Sequence, residues 1–220
     1  MKLLTEAELI WSPIVANNRM NRKRVANGVN SYEKELFFNP TTYLNDCLSK
    51  RGVVKWLDLC CGEGNALIQY AQGLTQQTGV TLKGIDLVDQ FQEIPEAVNC
   101  LTFEVRSLLT WEPTEQYDLI SCVHGIHYVG DKLLVLANIL AALQPAGIFV
   151  ANIDLNNIQG IDVRQLFAHN SIDYHARRKL LTCKGPRHID ITWTYLGADD
   201  QTGPNYTGQE AVTSFYSLAT

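Results

Sequence analysis

Two acids bracket a glycine bend in this chain. Asp58 stands just ahead of Cys60-Cys61-Gly62-Glu63-Gly64, and a periodic apolar run then begins at Ala66 and continues through Leu67, Tyr70 and Ala71. Val53, Val54, Trp56 and Leu57 lead into Asp58 as a short strand. Strand, glycine turn and helix start are what a nucleotide loop needs. Glycine lets the backbone approach a ligand, and the helix start supplies free N–H groups. The dinucleotide pattern is incomplete, because Leu67 occupies the third glycine position and Glu63 inside the turn repels a diphosphate. Two negative charges suit instead a phosphate-free adenosine compound with a cationic tail. Asp86 lies 22 residues after Gly64, the spacing at which a carboxylate takes ribose hydroxyls through charge-assisted hydrogen bonds. The plainer readings are an ordinary strand–helix turn and a solvated acid at a strand end.

Histidine chemistry enters further along. His124 and His127 follow an apolar strand, sit three residues apart, and share a face if the segment turns helically. Unperturbed histidine titrates near neutral pH. One of them is thus a candidate base or acceptor-orienting donor, with His124 preferred. The alternative packs His127 beside Tyr128 at the strand end.

The stretch from Asp58 to Gly64 resembles motif I of the class I S-adenosylmethionine-dependent methyltransferases, with Cys60 where the first glycine of that motif usually stands. The resemblance spans residues 55–153 and includes the acidic end of the second strand and a helix–Pro-x-Gly–strand passage at Pro145-Ala146-Gly147. It implies a Rossmann-like, doubly wound, seven-stranded and mostly parallel sheet with an antiparallel C-terminal edge hairpin and an N-terminal helical cap. It also implies S-adenosyl-L-methionine as cofactor, with S-adenosyl-L-homocysteine as product. The residues expected around the cofactor are Asp58, Cys60, Gly62, Glu63, Gly64, Asp86, Leu87, Ser107, Leu108 and Val123. Ser107 stands where the family usually has an aspartate that reads the adenine amino group; serine accepts that bond too, or caps a helix. His124 and His127 are the expected catalytic residues. His124 with Tyr32 and Tyr43 of the cap are expected to meet the acceptor, although both tyrosines could equally pack cap onto core. No metal is expected.

These residues need elements to carry them. Residues 1–50 read as the helical cap and residues 51–220 as the cofactor-binding domain. Thr5 and Glu8 form a capping box for a short helix ending before Pro13, and a longer helix begins after Asn39-Pro40-Thr41. Helices are expected over 66–74, weakly over 90–97, from Asp131 to Leu143, and over 161–169. Strands are expected over 80–87, 101–105, 117–123 and 148–153. Residues 178–184 and 188–196, joined at Gly185-Pro186, alternate like a strand pair, and 211–218 adds a third candidate. Two of these three should make the edge hairpin.

Composition narrows the partners. A net charge of −5 offers no overall field for nucleic acid. The basic runs around Arg19, Arg22, Lys23 and Arg24 and at Arg177-Arg178-Lys179 read as solvated faces more readily than as an RNA or anion site. Six cysteines show no zinc-like spacing, residues 1–11 do not read as a secretory segment, and no apolar run reaches membrane length. A reduced cytoplasmic protein acting on a small-molecule methyl acceptor is the expectation, with no membrane partner; oligomeric state is not legible. An RNA or protein methyltransferase and a non-catalytic S-adenosylmethionine-binding protein are the competing readings. A nicotinamide-dependent oxidoreductase is disfavoured by Glu63 and Leu67.

Overall fold

The computed structural model describes residues 3–16 and 23–218; Arg19 and Arg22 lie outside them. Short helices α1 (Glu6–Leu9), α2 (Pro13–Ala16) and α3 (Tyr32–Leu36) precede the longer α4 (Pro40–Arg51). The alternating part follows as β1 (Val54–Leu59), α5 (Asn65–Gln72), β2 (Val80–Asp86), β3 (Leu101–Val105), β4 (Tyr117–Cys122), α6 (Lys132–Ala141) and β5 (Leu143–Asn152). Then come β6 (Ile158–Gln159), α7 (Val163–His169), β7 (Asp173–His175), β8 (Leu180–Lys184), β9 (Trp193–Asp199) and β10 (Thr213–Leu218). No described helix is long and apolar enough to cross a membrane.

Seven strands form one sheet in the order β3-β2-β1-β4-β5-β8-β7. The five from β3 to β5 are parallel, and β8 and β7 close the edge antiparallel. This is the expected Rossmann-like, doubly wound sheet. Its central strands are apolar on both faces because helices cover both. Trp56, Leu82, Leu119 and Val150 point to the side of α4 and α5, with Leu44, Leu67 and Tyr70. Their alternates Leu57, Ile85, Ile120 and Phe149 join Leu136, Leu140 and Phe167 from α6 and α7. Period-two strands between two helical layers thus set two cores back to back.

Several expected elements are corrected. Residues 90–97 form no helix; Pro95 interrupts the run, and Phe91 instead stacks on Phe103 with ring centroids 4.6 Å apart. Pro145-Ala146-Gly147 does not end α6 but lies inside β5, where the pairing with β4 slips between Tyr117 and Leu119. A bulge tolerates a residue without an N–H. The edge hairpin is β7–β8, and β7 is too short, at three residues, to show a pattern. The other two strand candidates, realised as β9 and β10, form with β6 a separate three-stranded sheet in which β10 is central. Leu44 of α4 is buried with Trp56 and Leu119, so α4 is a layer of the sandwich.

The second sheet is locked to the first through a buried lysine. Lys132 Nζ, at the start of α6, donates to the carbonyls of Val129 and Val212 at 2.7 Å each and to Ser214 Oγ at 3.0 Å. Leu4 pairs with Ala198 on the outer strand of that sheet, which seats α1 against it, with Leu9 packed on Ala198 and Val212.

Candidate active site

All the loops leaving the carboxyl ends of β1 to β4 meet around one cavity. That is where ligands bind in doubly wound sheets. After β1, Cys60 and Gly62 take left-handed backbone (φ 54° and 60°), and Gly62 N–H donates to Asp86 Oδ2 at 2.8 Å. The other Asp86 oxygen accepts from Val88 N–H at 3.2 Å. Asp86 is thus the pin between the first loop and the second. Gly125 lets the loop after β4 cross over the first one, since a Cβ there would fall 2.2 Å from Cys60 Cβ. Cys60, Gly62, Asp86, Leu87, Ser107, Leu108, Val123 and His124 all line the cavity, and Glu6, Leu9, Arg24 and Tyr32 close it from the amino-terminal segment.

Three expected cofactor residues face elsewhere. Asp58 is fully buried and accepts from Tyr32 Oη at 2.7 Å and Ser121 Oγ at 2.6 Å. Ser121 in turn accepts from Trp56 Nε1 at 2.8 Å. Burial pushes the Asp58 carboxyl up to about 7, against the two donated bonds, with the nearby Asp86 charge adding to the rise. Asp58 therefore anchors Tyr32, and Tyr32 is what the cavity sees. Glu63 turns outward to Gln92 Nε2 at 3.0 Å and Asn65 Nδ2 at 3.3 Å. Gly64 caps α5 in left-handed backbone, where a Cβ would meet Phe103 at 2.1 Å; it is a packing glycine. Neither Asp58 nor Glu63 lines the cavity, because the first is sealed by Tyr32 and Ser121 and the second is held by Asn65 and by Gln92 of the loop after β2. Tyr43 is also elsewhere. Its hydroxyl donates to the carbonyls of Asp118 and Ala146, near the amino ends of β4 and β5, opposite the cavity.

His124 sits at the left-handed start of a 3-10 turn over Gly125–Tyr128. Its Nε2 lies 2.9 Å from Glu35 Oε2, and Glu35 Oε1 receives both Nε and Nη2 of Arg24, at 3.1 and 3.0 Å. The bond to His124, with its charge and that of Arg24, holds the Glu35 carboxyl at about 2 despite partial burial. A carboxylate only accepts, so Nε2 carries the hydrogen and Nδ1 of a neutral ring is left as the acceptor. Tyr206 Oη reaches that Nδ1 at 3.4 Å. His127 does share a face with His124, with centroids 5.9 Å apart, but it does not line the cavity. It is fully buried, and neither ring nitrogen has a hydrogen-bond partner among the described residues. Burial, with the charges of His124, Lys132 and Lys179, depresses its pKa far below the usual range and keeps it neutral.

A family model described as a methyltransferase domain matches residues 23–208, most of the chain. The chain belongs to this methyltransferase family. It is of the class I type, and its cofactor is S-adenosylmethionine. Comparison with curated protein sequences returns no significant match. Among solved structures, the DhpI–SAH complex is 17% identical over 71% of this chain and 89% of its own, with a TM-score of 0.42. N-methyltransferase NodS from Bradyrhizobium japonicum, in complex with S-adenosyl-L-homocysteine, is 16% identical over 79% and 82%, with a TM-score of 0.39. Coclaurine N-methyltransferase, bound to N-methylheliamine and SAH, is 18% identical over 69% of this chain and 45% of its own, with a TM-score of 0.41. The chain spans about half or less of several structures it matches, such as 42% of the StiE O-methyltransferase segment. The family assignment rests on the domain model.

The methyltransferase's own residues fit the cofactor. The backbone N–H groups of Cys61, Gly62 and Gly64 are taken by Ile85 O, Asp86 and Cys61 O, so these three have none to spare for a pyrophosphate. A nucleoside without phosphates is what such a loop admits. Asp86 lines the cavity, and Leu87, Val88 and Leu108 give it apolar walls. Sequence reasoning missed Glu35 and Tyr206. Glu35 sits in Glu33-Lys34-Glu35, which reads as a solvated helix face, and Tyr206 in a polar loop. Neither carries a local signal, because both reach His124 only through tertiary contacts.

Proposed function

We propose that the protein transfers a methyl group from S-adenosylmethionine to an N, O or C atom of a small molecule, with His124 as the base at a protic N or O acceptor. The observation that carries this is the 2.9 Å contact of His124 Nε2 with Glu35, beside the cofactor cavity. S-adenosylmethionine supplies an activated methyl on a sulfonium, which leaves as a neutral thioether. His124 Nδ1 takes the proton of an acceptor hydroxyl as the new methyl bond forms, or that of an ammonium beforehand to free its lone pair, and Glu35 stabilises the resulting imidazolium. Tyr32, held by Asp58, closes the cavity and excludes water, and Arg24 keeps Glu35 ionised. Positioning of this kind supplies about 7–11 kcal/mol of a two-substrate barrier.

The basic runs support a small acceptor over a polynucleotide. Arg24 pairs with Glu35, Lys179 Nζ with buried Asp154 at 2.8 Å, and the Arg178 guanidinium lies 4.1 Å over the Phe37 ring. Among the described residues, these three cations are engaged within the fold.

Calorimetry tests the cofactor half: S-adenosylhomocysteine binds and NADH does not, and the reverse outcome removes the reading. A screen of hydroxyl and amine compounds with methyl-labelled cofactor tests catalysis. His124→Gln keeps cofactor affinity and loses about 10²–10⁴-fold in turnover on any acceptor found. Unchanged turnover excludes the base.

A further inference from the structure

We propose that Tyr206, carried on the β9–β10 connection, caps the proton-accepting nitrogen of His124 and marks the acceptor position, so that a ring-bearing hydroxyl or amine binds by taking the place of the tyrosine phenol. The inference rests on the methyl-transfer reading of His124 and adds the acceptor side to it.

Four observations converge. With Nε2 committed to Glu35, Nδ1 is the nitrogen free to take a proton, and the Tyr206 hydroxyl lies 3.4 Å from it. The Tyr206 ring meets the His127 ring edge to face with centroids 5.7 Å apart. His127 therefore forms a neutral aromatic wall, the surface on which a second flat ring packs well. The tyrosine is nevertheless 40% exposed, so it is not a core residue whose position packing dictates. Its connection is bonded in place, with Pro204 bridging Glu210 and Asn205 N–H donating to Gln209 O at 2.8 Å, so the phenol leaves by rotation of its side chain. The Tyr206 N–H holds Asp154 Oδ2 at 3.2 Å, and Asn205 Oδ1 ties Thr207 at 2.8 Å. Gly203 and Gly208 flank the tip with φ of 93° and 81°, each with open space where a side chain would go.

Burial and the Glu35 and Asp154 charges push the Tyr206 hydroxyl up to about 12. It stays protonated at neutral pH and donates to Nδ1, the same contact an acceptor O–H or N–H must make. In the transfer itself the acceptor X–H bond breaks and its proton goes to Nδ1. The X–CH₃ bond forms as the S–CH₃ bond breaks, and the electron pair of the latter stays on sulfur.

Diethyl pyrocarbonate, which acylates unprotonated imidazole nitrogen, reads the cap directly when the modified residue is mapped by mass spectrometry. His124 of the wild-type protein should react slowly. Tyr206→Ala should raise its rate about tenfold and Tyr206→Phe severalfold, the scale of one lost hydrogen bond, with S-adenosylhomocysteine affinity unchanged by calorimetry. p-Cresol, the deleted side chain, should restore protection in Tyr206→Ala, and cyclohexanol should not. Equal rates in wild type and both variants overturn the cap, and equal protection by cyclohexanol overturns the ring preference. Because Tyr206→Phe keeps the ring on His127, it decides the matter if the alanine variant folds poorly. Failure of cofactor binding in the wild type would instead count against the methyl-transfer reading and leave the labelling result standing.

Discussion

At the scale of residues, two carboxylates set opposite pH behaviour. Glu35, lowered from 4.5 to about 2, contributes stability that is present above its unfolded pKa and is lost as pH falls through the folded one. Asp58, raised from 3.8 to about 7, does the reverse: between those values the folded state holds a proton that the unfolded state has released, so stability falls as pH rises. Urea unfolding of Asp58→Asn against wild type between pH 4 and 8 should show that slope only in the wild type. Tyr32→Phe removes one of the two donors to Asp58 and should cost about 1–3 kcal/mol, the usual penalty for an unsatisfied buried group. Cofactor affinity should change little, since phenylalanine keeps the ring that closes the cavity.

At the scale of elements, two joints are exposed to test. Where the loop after β4 crosses the cofactor loop, Gly125→Ala drives a methyl into Cys60 Cβ at 2.2 Å, and calorimetry should find S-adenosylhomocysteine affinity reduced about tenfold or more as the loops part. The other joint is Lys132, between α6 and the second sheet. Burial lowers it from 10.5 to about 7, so stability rises with pH across that interval, where the unfolded lysine is still protonated and the folded one is not. Lys132→Met should abolish the rise in a series of urea unfolding curves. A wild-type curve that is flat from pH 7 to 10 would show that the joint is hydrated.

At the scale of the whole molecule, stability and function are separated in space. The central strands β1 and β4 are buried along almost their whole lengths, and their amides should exchange most slowly with deuterium. Binding of S-adenosylhomocysteine should add protection at residues 60–64 and 123–130 and leave β9 unchanged. Added protection confined to β9 would place the cofactor elsewhere.

The sequence by itself determined the layered fold and half of the site. Alternating apolar strands, the glycine bend at Gly62 and Asp86 at the end of β2 are local features, set by backbone freedom and by which face of a strand is buried. It also placed His124 at the cavity and a turn that sets His127 beside it. Only the tertiary structure decided which charges face the cavity. Asp58 and Glu63 look alike in sequence, yet one is sealed by Tyr32 and Ser121 and the other bonds Gln92, while Glu35 and Tyr206 reach His124 from 89 and 82 residues away in sequence. Side-chain direction at a site is fixed by packing between distant segments, and no local pattern encodes it.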